Sequence, residues 1–350
     1  MTTDAGTRVD AAVHARDVVL DLELPAGRCT AVVGANGAGK STLVGLLSGA
    51  LRPDSGTVEV GGRTLADAGR FVPPHRRGIA LLEQRPLLFP HLDVLANAAF
   101  GVRSHGVPRA EAMARALAQL EAVGCAELAA RRPDQLSGGQ AQRVALARAM
   151  AVAPDVVLLD EPMAALDAAS APEMRRLLRS HLAGRTSVLV THDLLDVLTL
   201  AQHLVVLEAR RVADSGPTAE VLARPRSQFL AEFTGVNLVS GELVGEALQL
   251  PGGPALRGLL ADGAADGPGW ASIPPNAVSL HVADPHGSPR NAFDVVVAAI
   301  DPRGPVVRVV VDVAGQALAA DLTASAVAEL GLVPGLRLVA VAKATAVTLY

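Results

Sequence analysis

Residues 34–41 read GANGAGKS, which matches G-x-x-x-x-G-K-[ST] and lies between a short apolar stretch, CTAVVG, and a helical run. Gly34, Gly37 and Gly39 leave backbone N–H groups free to face a phosphate. Lys40 supplies a point charge for β/γ oxygens and Ser41 a hydroxyl for Mg2+, with Asn36 and Thr42 in the same nucleotide-binding set. Asp160 closes the apolar run VVLLD, where it can hold Mg2+ through water, and Glu161 follows it as a base for an attacking water. Alone, an acidic pair after a strand is usually a solvated strand end; with the glycine loop upstream it reads as chemistry. His192, in VTHD after another apolar run, reads as a γ-phosphate contact rather than an ordinary loop histidine. Gln84 is a neutral amide that can touch both Mg2+ and water. A second anion-holding start, LSGGQ at 136–140, precedes a strongly helical run. Ser137, Gly138, Gly139 and Gln140 there offer a hydroxyl, an amide and free N–H groups at the positive end of a helix dipole.

The composition narrows the setting. The net charge is −4, which speaks against a general nucleic-acid or acidic-membrane binder, and aromatics are only 2%, too few for base-stacking platforms. Only two of the 31 basic residues are lysines, Lys40 and Lys343; chance retention is one reading, a place that needs a compact charge rather than a planar fork the other. Cys29 and Cys125 form no disulfide or metal pattern, which fits a reduced cytosol. No basic-then-apolar leader is read at the start, and no apolar run approaches the roughly 20 residues needed to cross a bilayer.

The elements that must carry these groups follow from the patterning. CTAVVG, DVVLLD and TSVLVTHD are short, continuous apolar runs, as buried parallel strands require, and helical runs alternate with them. An α/β sheet with helices on both faces is expected over residues 1–235, with a helical subdomain at about 86–150. SGTVEVGGRTL reads as a hairpin with a Gly-Gly turn. Beyond Gly235 the chain turns Gly-, Pro- and Ala-rich. It then alternates strand and turn, which predicts a small, mostly β, OB-like region at 236–350, most simply a five-stranded barrel.

Together these residues resemble the ATP-binding-cassette (ABC) ATPases, P-loop NTPases with a helical subdomain. Gly34–Ser41 looks like the Walker A loop, Gln84 the Q-loop and Leu136–Gln140 the signature motif. Asp160 and Glu161 look like Walker B with its catalytic glutamate, Asp167 the D-loop aspartate and His192 the switch histidine. The resemblance implies ATP and Mg2+ as cofactors. It also implies a homodimer packed head to tail, in which Ser137 and Gly138 wait for the partner's γ-phosphate. With no span of its own, the chain would need integral membrane permease subunits. It would then sit peripherally on the cytoplasmic face of the cell membrane, linked indirectly to a periplasmic or lipid-anchored solute-binding protein. In importers of this family the stretch RPLLFPHLDV helps to receive a permease helix, with Phe89 and Leu92 as the contacts expected here.

Residues 288–350 resemble the molybdate-binding Mop, or TOBE, domain of molybdate importer ATPases, carried by SPRN, LTASAVAELGL and VAKATAV. That likeness implies oxyanion contacts at Ser288, Arg290, Thr323 and Lys343, with Ser325 and Ala344 beside them, between paired tails. It also implies a feedback role for molybdate. Tungstate stays open as the solute. Importers of sulfate, sugar and polyamine carry similar tails; these solutes and iron remain alternatives, as does a soluble ABC ATPase without transport. One departure stands out: these cassettes usually stack adenine on an aromatic residue upstream of the P-loop. VDAAVHARDVVLDL has none, leaving His14 or Arg16 for that place.

Overall fold

The computed structural model describes residues 6–285 and 287–350 and divides into two units, Met1–Val221 and Leu222–Tyr350. The first unit opens with β1 (Thr7–Val13) and β2 (Val18–Leu24), both alternating buried and exposed residues. β3 (Cys29–Gly34) is buried throughout and leads into α1 (Lys40–Ser48). β4 (Ser55–Val60) and β5 (Arg63–Ala66) form the hairpin expected from the sequence, with Gly61 and Gly62 both at positive φ. β1, β2, β4 and β5 make one antiparallel sheet, in the order β2-β1-β4-β5. β2 and β3, which follow one another in sequence, therefore lie in different sheets.

The second sheet takes β6 (Ile79–Leu82), β7 (Val156–Asp160), β8 (Thr186–Val190), β9 (His203–Glu208) and β10 (Arg211–Pro217), in the order β10-β9-β3-β8-β7-β6. All neighbours are parallel except β10. Both faces are covered, which explains the unbroken apolar runs. Val156 and Leu158 join a core with α1 and the antiparallel sheet. Val157 and Leu159 face a core with α2 (Val94–Ser104), α3 (Arg109–Ala122), α4 (Gly138–Ala151) and α5 (Ala171–Leu182). Helix α6 (Leu194–Leu200) follows β8.

An arginine buried to 1% exposure pins the end of α1. Arg77 donates to the Leu46 and Leu47 carbonyls at 2.6 and 2.9 Å and to the Val72 carbonyl at 2.8 Å, and its guanidinium lies 5.0 Å from the centre of the Phe71 ring. The Leu46 and Leu47 carbonyls are among those that the C-terminus of α1 leaves unpaired. Gly49, at φ +83, makes room: a Cβ there would stand 2.4 Å from Arg77 Nε.

α7 (Thr218–Ala223) and α8 (Gln228–Thr234) lead on along the chain to a second unit built from two sheets. The first comprises β11 (Asn237–Val244), β12 (Ala247–Gln249), β13 (Ala255–Arg257), β14 (Leu259–Leu260), β15 (Gly267–Ile273) and β21 (Thr348–Leu349). The second comprises β16 (Val278–His281), β17 (Asn291–Arg303), β18 (Val306–Val313), β19 (Gln316–Leu322) and β20 (Arg337–Ala342), with α9 (Ala324–Glu329) after β19. The tail is thus mostly β, but it is not a single five-stranded barrel. Short strands hide in the Gly- and Pro-rich stretch, and the last apolar run breaks after Ala342 and crosses to the other sheet. Three amide side chains stitch the sheets by imitating ladder pairs. Asn291 accepts from and donates to the Arg257 backbone at 2.7 and 2.9 Å, Asn237 does the same for Ala319, and Gln316 for Ser240. Asn291 is wholly buried, so both ends of its amide are paired, as burial demands.

Candidate active site

The parallel sheet delivers its chemistry at the C-terminal ends of its strands, as open α/β sheets do. β3 ends at Gly34, where a Cβ would stand 2.4 Å from the Leu207 carbonyl oxygen, so only glycine fits. Gly39 caps α1 at φ +108, a conformation that side-chain-bearing residues rarely adopt. Lys40 Nζ donates back to the Gly34 and Ala35 carbonyls at 2.5 and 3.0 Å. Burial lowers its pKa, while Glu161 and Asp160 act in the opposite direction.

A cavity of about 480 Å³ opens over this loop. Asn36, Gly37, Gly39, Lys40, Ser41, Thr42, Gln84, Asp160 and Glu161 all line it. Burial raises the Asp160 carboxyl, with Glu161 and Glu83 adding to the rise and Lys40 opposing it. Glu161 sits at φ +48, an uncommon conformation for a non-glycine residue, and its N–H donates to the Val190 carbonyl at 2.9 Å. That bond ties the end of β7 to the end of β8. His192 does not line this cavity, yet its Nδ1 stands 3.3 Å from Glu161 Oε1.

The signature residues lie elsewhere. Ser137 caps α4: its hydroxyl accepts from the Gln140 N–H at 3.2 Å, and the Gln140 side-chain Oε1 accepts from the Ser137 N–H at 3.0 Å. This reciprocal box occupies one end of Gln140 locally and frames the starts of Gly138 and Gly139. None of these four residues lines the cavity over Lys40, and neither does Asp167. Asp167 instead folds its own turn, accepting from the Ala169 and Ser170 N–H groups and the Ser170 hydroxyl at 2.9–3.0 Å. The Ser170 bonds hold its carboxyl below the usual range. Gly139 and Ser170 are neighbours, since a Cβ on the glycine would meet Ser170 Oγ at 3.2 Å.

Several participants were not singled out from the sequence. Val18 and Arg210 line the cavity with Arg16, whose Nη1 donates to Thr42 Oγ1 at 3.3 Å. Of the two residues expected in place of an aromatic, Arg16 reaches the cavity and His14 does not line it. Gln142, buried on α4, donates to the Glu83 and Pro162 carbonyls at 3.3 Å, next to Gln84 and Glu161 respectively. Arg148, also on α4, donates to the Leu87 and Pro86 carbonyls and lies 5.6 Å from the centre of the Phe89 ring. Phe89 and Leu92 are half-buried; the exposed apolar side chains of this region are Leu87 and Phe100. The glutamine and arginine signals were invisible because their partners are backbone carbonyls far away in sequence.

In the tail, Asn291 pairs with Ala342, which sets Arg290 beside Lys343, with Ser288 close along the chain. Leu322 pairs with Val307 and Val307 with Pro302, so Thr323 and Ser325 stand at the other end of the β17 ladder. The oxyanion residues expected from the sequence thus form two groups, and no described hydrogen bond or ion pair joins them. All of Ser288, Arg290, Thr323, Ser325 and Lys343 are exposed, and Ala344 is half-buried.

A glycine loop under a cavity lined by lysine, hydroxyls and two carboxylates, on a parallel sheet with a helical layer, defines a nucleotide-hydrolysing cassette. The comparisons agree. The ABC transporter family matches residues 19–164 and the TOBE domain family residues 287–349. The molybdenum import ATP-binding protein ModC of Mycobacterium tuberculosis is 46% identical over 97% of this chain and 96% of its own length. The sulfate/thiosulfate import ATP-binding protein CysA of Mycobacterium bovis is 43% identical over 64% of each chain. The Fe(3+) ions import ATP-binding protein FbpC of Streptomyces avermitilis is 39% identical over 75% of this chain and 74% of its own. Among solved structures, cbiO1 from Clostridium perfringens, part of the ABC transporter complex cbiONQ, superposes with a TM-score of 0.57. Its identity is 29%, covering 63% of this chain and 91% of that one. The chain belongs to the ABC transporter family: it is an ATP-binding importer subunit, an ATPase coupled to transport. Among the described residues no helix is long and apolar enough to cross a membrane.

Proposed function

We propose that this subunit powers import of molybdate, or of the closely similar tungstate, through membrane permease subunits on whose cytoplasmic side it docks. A solute-binding protein outside the membrane would deliver the anion. The observation that carries the solute is coverage. Likeness to the molybdenum import protein runs through cassette and tail alike, whereas likeness to the sulfate and iron import proteins covers a smaller share of the chain.

In this reading Lys40 and the N–H groups of residues 36–41 bind the triphosphate. Ser41, Gln84 and Asp160 are oxygen donors of the kind Mg2+ takes, few enough to leave room for phosphate and water. Among the described residues no cluster of three acidic, histidine or cysteine side chains competes for a metal. Mg2+ would neutralise charge building on the β- and γ-oxygens. Glu161 accepts the proton of the attacking water, and His192 holds the γ-phosphate side of the site. Ser137, Gly138, Gly139, Gln140 and Asp167 lie outside the cavity of their own copy. That supports two copies meeting head to tail, each signature helix closing the other's site. ATP then joins the copies, and hydrolysis removes the charge that holds them.

The two separated oxyanion groups of the tail suit a site shared between two tails. Ser288, Arg290 and Lys343 of one would meet Thr323 of the other, giving molybdate a feedback role. Calorimetry on the full-length protein with molybdate, tungstate and sulfate tests the solute: heat is expected with the first two and not with sulfate. Heat with sulfate alone, or sulfate-stimulated ATPase in the complex purified with its permease, overturns the molybdate reading.

A further inference from the structure

One arginine of α5 reaches out of its helix toward the loop that carries His192. Arg175 Nε donates to Asp196 Oδ1 at 2.6 Å and Nη2 to Asp193 Oδ2 at 2.7 Å. The Asp196 side chain is only 2% exposed. Its other oxygen accepts from Thr191 Oγ1 at 3.0 Å, and that hydroxyl accepts from the Asp193 N–H at 3.1 Å. Both chain neighbours of His192 are thereby bound into a single ion network whose cation comes from another helix.

The imidazole needs such support. His192 is 69% exposed, and among the described residues its one polar contact is Glu161, at 3.3 Å. Little but the backbone holds the ring in place, and Arg175 ties down the residues on either side of it, Asp193 directly and Thr191 through Asp196. The helix that carries Arg175 starts directly after the turn built on Asp167. A cavity of about 210 Å³ lined by Glu161, Arg175, His192 and Asp196 lies along this connection.

We propose that Arg175 is a positioning residue for hydrolysis, fixing the His192 loop to the helix that follows Asp167. The imidazole then meets Glu161 only when that helix is in register. A movement of the Asp167 turn, such as a second copy would impose, reaches the hydrolytic pair through this one guanidinium. The proposal rests on the reading of Glu161 and His192 as reacting groups.

Steady-state ATP hydrolysis by the full-length protein separates the two. Arg175→Met is expected to lower kcat by about 10²-fold, the scale of a small misplacement of a reacting group, with KM for ATP little changed. Arg175→Lys is expected to recover part of the loss, since an ammonium can reach one carboxylate but not both. Arg175→Met combined with His192→Ala should fall no further than His192→Ala alone, because both act through one group. A merely structural role would lower the melting temperature without that non-additivity. If His192→Ala is inactive while Arg175→Met keeps wild-type kcat, the positioning proposal falls and the hydrolytic reading stands. If His192→Ala is fully active, that reading falls and takes the proposal with it. Should Arg175→Met fail to fold, Arg175→Lys and Asp193→Asn carry the test. Asparagine keeps the α6 cap and removes the charge, and wild-type kcat in both variants overturns the proposal.

Discussion

His192 Nδ1 and Glu161 Oε1 stand 3.3 Å apart at the ends of two adjacent parallel strands, and Glu161 holds its place there in a left-handed backbone conformation. Two residues 31 positions apart in sequence are thus brought to one point by the pairing of β7 with β8.

Replacing Glu161 by glutamine keeps the shape and removes the base. Hydrolysis is expected to fall by about 10²-fold or more, the contribution typical of general base catalysis. ATP binding should survive, and the protein with ATP and Mg2+ should elute as a dimer on size-exclusion chromatography. A variant that stays monomeric under those conditions refutes the shared-site reading.

The Arg77–Gly49 contact predicts a stability defect far from the chemistry. Gly49→Ala puts a Cβ onto the buried guanidinium and strains a residue at φ +83. Arg77→Met leaves two helix-end carbonyls and the Val72 carbonyl without their donor. Each is expected to cost about 3 kcal/mol, seen as a lower melting temperature with thermal denaturation of the purified protein.

Arg308 and Asp321 form a two-pronged pair on β18 and β19, both bonds at 2.8 Å. The hydrogen bonds from Arg308 hold the Asp321 carboxyl below its ordinary range and raise the guanidinium. A carboxyl depressed in the folded state adds stability above its unfolded pKa, and that contribution disappears as pH falls through the folded value. Asp321→Asn should therefore cost about 1 kcal/mol at neutral pH. In melts recorded over a falling pH series, its difference from wild type should shrink toward zero below the carboxylate range.

Both cysteines should be silent in the native protein. Cys29 is 2% exposed, and burial pushes its thiol up to about 11; Cys125 is fully buried and also raised. A chromogenic disulfide reagent at pH 8 is expected to find no thiol in the folded chain and two after denaturation. Both cysteines lie in the core shared with α2–α5, so rapid reaction without denaturant would show that this core opens.

What the sequence alone determined is what consecutive residues do for one another. GANGAGKS needs only its own backbone to form a phosphate loop, and LSGGQ caps its own helix. The apolar runs announce strands covered on both faces, and Gly61-Gly62 turns its own hairpin. In each case the partners lie within a few positions, so the spacing carries the physics.

Only the tertiary structure decided which distant groups meet. Sheet order brings Glu161 to His192 and parts β2 from β3. The buried Arg77, Gln142 and Asn291 and the half-buried Arg175 choose most of their partners 18 or more positions away, many of them backbone atoms with no residue-type signal. The tail shows the same limit. Its alternation of strand and turn suggested one barrel, but long-range ladders split the strands between two sheets, and the same ladders set Thr323 at the opposite end of β17 from Ser288, Arg290 and Lys343. Burial makes each such partner obligatory, since an unpaired polar group inside the protein is costly, yet burial exists only once the whole chain has folded.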